Sequence, residues 1–182
     1  ILSQEDEDER RVERKTTVEK KAKMPRFGSE LRSLHTIPLE VFKSLKRSNK
    51  DLYKELDHYA FLFKDKKELM TVEDKDYLDA VANYKELIEK TNRIKGEIIL
   101  PSPLQVAYEV LRPTGIIWNE KEPMALIETS DKLGYTVRKG SLIGPAYGVV
   151  ETMDQNKIVV VERERDYLGN ILSKNKEVEF VQ

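Results

Sequence analysis

A chain of 182 residues holds one good domain or two small ones, and leaves no room for a large enzyme with a separate cofactor domain. Charged residues make up 36% of it, yet the net charge is only −1, which argues against a dedicated nucleic-acid binder with its uncompensated basic excess. The absence of cysteine removes disulfides, thiolate metal sites and cysteine nucleophiles together, and leaves the redox compartment open. No apolar run is long enough to span a bilayer, so any membrane association is expected only through a segment upstream of Ile1.

Residues 1–36 lack apolar periodicity. An acidic block, Glu5 to Glu9, runs into a basic one with Arg10, Arg11, Arg14, Lys20, Lys21 and Lys23. Such a stretch cannot bury enough apolar surface to offset the entropy of ordering it, and it reads as a disordered charged tether. Residues 37–96 change to helical spacing. Pro38 suits the first turn of a helix carrying Leu39, Phe42 and Leu45. A second run, from about Asn49 to Phe63, sets Leu52, Leu56, Tyr59 and Phe63 on one face. The third carries Tyr77, Val81, Tyr84, Ile88 and Ile94; Thr71 and Asp74 suit a capping box at its start, and Gly96 a stop at its end. About three helices are therefore expected, and the last stripe must pack on its neighbours or on a partner.

Residues 97–110, with Pro101 and Pro103, read as a linker. From Leu111 to Gln182 the pattern is β: six candidate strands at Leu111–Trp118, Met124–Thr129, Tyr135–Arg138, Tyr147–Met153, Lys157–Arg163 and Glu177–Val181. Several alternate apolar and polar residues, and a flat sheet of this size would leave an apolar face uncovered. The fold class is α+β by chain: a helical N-terminal region, then a small all-β sandwich or partly open barrel of six to seven antiparallel strands.

No chemistry assembles from the residues. His35 and His58 are 23 positions apart and lack further ligands; Asp74, Asp76 and Asp79 fail the calcium-loop pattern, because Asp79 and Lys85 stand where glycine and glutamate are required. Gly140, Gly144 and Gly148 are spaced by four, but Pro145 and the β pattern exclude a membrane helix, and no phosphate-loop lysine follows. Trp118, Tyr135, Tyr147 and Tyr167 would suit a nucleic-acid stacking platform only beside a positive groove, whereas residues 112–182 hold ten Lys/Arg against eleven Asp/Glu. The reading is no enzyme, no cofactor and no nucleic acid.

In the β module the runs Leu111-Arg-Pro-Thr-Gly-Ile-Ile-Trp118, Glu122-Pro-Met-Ala-Leu-Ile-Glu128, Gly134-Tyr-Thr-Val-Arg138 and Leu142-Ile-Gly144 follow one another in order. They are continued by Gly148-Val-Val-Glu-Thr-Met153, by Ile158–Glu162 and by Asp166-Tyr-Leu-Gly169. Together, over residues 101–182, they resemble the PilP family of type IV pilus assembly proteins, related to the GspC module of type II secretion. The resemblance implies a periplasmic scaffold tethered to the inner membrane. In the family an N-terminal segment engages PilN and PilO, and the C-terminal β-sandwich engages the secretin PilQ. Residues 38–95 depart from the family's extended, proline-rich N-terminal region. The resemblance and the edge-strand character that Pro113 confers place partner binding on Arg112, Thr114, Ile116 and Trp118 of the first strand and Glu128 of its neighbour. Core filling is the competing role for Ile116 and Trp118. The alternative function is an SH3-like barrel binding RNA or a ribosome-associated partner, which a steep salt dependence of nucleic-acid affinity would reveal.

Overall fold

The computed structural model describes residues 36–66, 75–119 and 121–180. Almost all of the expected tether, with His35, lies outside the described residues, as does the capping pair Thr71 and Asp74. Among the described residues three α-helices precede two antiparallel sheets, so the α+β class and the β-sandwich architecture stand as expected.

A two-residue strand β1 (Ile37–Pro38) leads directly into helix α1 (Leu39–Ser48), so Pro38 stands just before the helix rather than in its first turn. Asn49 ends α1 and opens α2 (Lys50–Lys66): its amide bonds back to the Leu45 carbonyl at 2.8 Å, and its side chain accepts the Leu52 amide at 3.1 Å, a normal N-cap. Leu52, Leu56, Ala60 and Phe63 line the buried face of α2. Helix α3 (Lys75–Ile98) buries Tyr77, Ala80, Val81, Tyr84 and Ile88, with Ile94 partly covered. Gly96 does not stop it, because the helix runs two residues further and bonds the Ile99 amide to the Lys95 carbonyl.

The strands form two sheets. β2 (Arg112–Trp118), β3 (Pro123–Glu128) and β4 (Gly134–Arg138) make one, in that order. β5 (Leu142–Ile143), β6 (Gly148–Met153), β7 (Lys157–Arg165) and β8 (Ile171–Glu179) make the other, and β1 joins it by pairing Ile37 and Pro38 with Arg165 and Glu164 of β7. β1 thus occupies a stretch of β7 that β6 does not reach, since β6 pairs only with Ile158–Val161. β8 begins six residues before the expected Glu177. Ile171–Lys176 is exposed on both faces, so it shows none of the alternation by which strands are read.

Two cores result. Ala125, Ile127, Val137, Ile143, Val150, Ile158 and Val160 are fully buried between the sheets. Each of the valines and isoleucines contributes roughly 1.5–3 kcal/mol relative to its exposed state. The helices form the second core, and Tyr147 and Tyr167 of the β module enter it. Phe63 meets both Tyr84 and Tyr167 edge-on, with ring centroids 5.6 and 6.0 Å apart. Arg165 closes the junction: its guanidinium is 4.2 Å from the Phe42 ring centroid, and its Nη2 is 2.9 Å from Oδ1 of Asp57 on α2.

The segment expected to be a linker is built into the sandwich. Leu104 is buried in the inter-sheet core, and its carbonyl accepts the Gly144 amide at 2.8 Å. Tyr108 donates its hydroxyl to Glu162 at 2.8 Å, and burial together with that carboxylate pushes the phenol well above its ordinary range. Gly144 (φ +84°) and Gly148 make room for it, because a Cβ at either position would lie 2.2 or 2.7 Å from the Tyr108 hydroxyl. Gly144 and Gly148 thus both lie against Tyr108, Gly148 with Val160 closer still, whereas Gly140 (φ +89°) has open space around it.

Arg165 is only 5% exposed while Asp57 is 61% exposed, so the two ends of their ion pair are unequal. Arg165→Ala removes a buried cation, its ring contact and its packing, and should cost about 2–4 kcal/mol in urea unfolding. Asp57→Ala should cost less than about 1 kcal/mol. Equal costs would contradict this geometry. Tyr84 gives a second expectation: its hydroxyl is buried without a hydrogen-bond partner, and burial pushes its pKa up to about 12. The folded state holds this proton more tightly than the unfolded chain, so the contribution is complete below the ordinary value of 10 and is lost as pH rises through about 12. Tyr84→Phe should be neutral or stabilising by up to about 1 kcal/mol at pH 7, and should flatten the alkaline loss of melting temperature.

Candidate functional site

Among the described residues strand β2 is paired on one side only, by β3, which agrees with the edge position that Pro113 favours. The register shifts between Pro113 and Gly115, leaving Thr114 as the extra residue of a bulge. Pro113 turns into the sandwich and is buried, whereas Thr114 points outward and donates its hydroxyl to the Leu126 carbonyl at 3.3 Å. Such a bulge interrupts the pairing at one residue and re-aims its neighbours, and the ladder resumes from Gly115 to Trp118.

The five residues singled out from sequence separate into four places. Arg112 and Glu128 stand directly opposite each other across β2 and β3, with Arg112 exposed and Glu128 half-buried. Glu128 also takes the Lys132 ammonium at 3.2 Å. Together with Glu109 and Thr129 they line a shallow depression of about 330 Å³. Thr114 lies one step along, at the bulge. Ile116 packs against the inter-sheet core, while Trp118, at the far end of the strand, is 58% exposed. Core filling thus describes Ile116 in part and does not describe Trp118.

Sequence reasoning missed the outer face beside these residues. Ile117 opposes Met124, and Gly115 opposes Leu126, so these apolar side chains share the face turned away from the core. Ile117 is 53% exposed and Leu126 38%. The signal was present in the consecutive Ile116 and Ile117: a strand with one wet face should not carry isoleucine on both. The adjacent β3–β4 turn is held by Asp131, whose carboxylate is kept below its usual range by the Thr129 hydroxyl. Among the described residues no group of three His, Asp or Glu side chains is arranged to hold a metal ion. No helix among them is long and apolar enough to cross a membrane. An exposed edge with one guanidinium, one tryptophan and a small apolar face is equipped for contact with another protein.

Residues 105–180 match a family profile described as "Pilus assembly protein, PilP". No match was found among the curated proteins. Solved structures similar to this chain include the solution structure of PilP from Pseudomonas aeruginosa, at 24% identity, covering 46% of this chain and 76% of that one, with a TM-score of 0.39. A domain of the type IV pilus biogenesis lipoprotein PilP from Pseudomonas aeruginosa PA01 is 25% identical, covers 46% and 97%, and has a TM-score of 0.40. A domain of the Neisseria meningitidis PilP pilot protein is 28% identical, covers 45% and 72%, and has a TM-score of 0.36. Over residues 105–180, within the β module, this chain is thus similar to the PilP family of pilus assembly proteins.

Proposed function

We propose that this chain is a non-enzymatic scaffold of the type IV pilus machine that binds the outer-membrane secretin PilQ through its β2 edge and the inner-membrane PilN/PilO pair through other parts of the chain. The observation that carries the reading is the family match over residues 105–180, which coincides with the module bearing the exposed β2 edge. The place of work is the periplasm, with a tether to the inner membrane. Arg112, Thr114, Trp118 and Glu128 are the proposed contact residues, with Ile116 supporting them from the core side.

The physical chemistry suits such a contact. An edge strand offers unpaired backbone groups along one side, and a guanidinium at its start reads carboxylates on a partner. Trp118 and Ile117 supply apolar area that a partner would remove from water.

Arg112→Glu in the whole chain should weaken binding to the first periplasmic domain of PilQ by about tenfold or more in titration calorimetry. Because Arg112 is exposed, stability should change by no more than about 0.5 kcal/mol. Unchanged affinity in a normally folded variant would move the interface away from β2.

A further inference from the structure

We infer that the free edge of β8 is a second docking edge, which receives an extended strand with two acidic side chains two residues apart. β8 pairs with β7 in unbroken register over nine residues, from Ile171 opposite Arg165 to Glu179 opposite Lys157, and pairs with no other strand among the described residues. Residues 171–177 are all exposed, and only Val178 is buried. Its other side is therefore a row of backbone donors and acceptors with no ladder of their own. It approaches β2 but makes no pairs with it.

The side chains define the occupant. Lys174, Lys176 and Val178 share one face, and Val178 is buried opposite Ile158, so the two ammonium groups stand on the side from which the core is built. Neither lysine is in an ion pair among the described residues. Glu162, opposite Lys174, is buried and already holds the Tyr108 hydroxyl, and Glu177 on the other face is held by Lys157 at 2.7 Å. The central part of β8 thus presents two cations spaced roughly 7 Å apart, the repeat at which an extended strand carries same-face side chains.

β8 of a second copy of this chain is not the occupant. A two-fold antiparallel pairing of β8 with itself, centred on Asn175, sets Lys174 opposite Lys176 of the second copy. Centred on either lysine, it sets that lysine opposite itself. The registers with the longest overlap all place like charges together, which is destabilising at directly opposed positions. The same lysines that refuse a second β8 accept carboxylates, and that points to an acidic strand from a different protein as the partner. This edge belongs to the sheet that does not contain β2, and the inference does not rest on the proposed secretin contact.

The test uses the whole chain, labelled with nitrogen-15, and a capped peptide of alternating valine and threonine bearing two glutamates two residues apart. Amide shifts concentrated in residues 171–177 are expected, with about tenfold weaker binding for the Lys174→Glu/Lys176→Glu chain. The corresponding two-lysine peptide should bind that charge-reversed chain and not the original. The inference is overturned if the peptide shifts no β8 amide, if acidic and basic peptides act alike, or if the shifts fall on β2.

Discussion

A buried guanidinium must be paired, and where its partners lie decides what else must come with it. Arg165 sits at the C-terminal end of β7, almost without solvent, between the Phe42 ring of α1 and the Asp57 carboxylate of α2. β7 itself pairs with β6 and β8, and at this end with β1. Three residues earlier Glu162 receives the Tyr108 hydroxyl and so fixes the chain that leads from the helices into the sandwich. One strand therefore holds the inter-sheet core, the entering segment and the helical unit.

That arrangement changes how the chain works as a scaffold. The sequence suggests modules on a flexible connection, whose contacts would cooperate through effective concentration. In the structure Tyr147 and Tyr167 are buried among the helices, and β1 is a strand of the β module's own sheet. The helices and the sandwich consequently hold a set orientation. Strands β2, β3 and β4 contribute no residue to the helical core, so the proposed partner edge lies on the sheet left uncovered by the helices.

The periodic parts of this architecture were legible. Helical stripes such as Tyr77, Val81, Tyr84 and Ile88, and the alternation in Tyr135–Arg138, follow from one buried face and one wet face. What escaped reading has a physical reason in each case. The first half of β8 is exposed on both faces and so has no alternation to show. Leu104 and Tyr108 are anchors in irregular chain, where two prolines suggested a linker and no period marks a buried residue. Gly144 and Gly148 show nothing in the sequence but their spacing, and the close approach of Tyr108, 36 and 40 positions upstream, is visible only in the structure. Arg165, the residue on which the junction depends, is one more cation in the alternating charges of Glu162–Asp166, and nothing in that run distinguishes a buried guanidinium from solvated ones. For the candidate site, the edge position of β2 and the exposed Arg112 were readable from Pro113 and its neighbours, whereas the outer apolar face formed by Ile117, Met124 and Leu126 required the register.

The claim that the helices and the sandwich fold as one body is most directly tested by equilibrium urea unfolding of the whole chain followed with two probes. The single tryptophan, Trp118, reports on the β module, and far-ultraviolet circular dichroism reports on helix, which the described residues hold in α1, α2 and α3. The account predicts one transition, with the same midpoint and the same steepness for both signals. Separate transitions, with ellipticity lost while Trp118 fluorescence stays native, would contradict it.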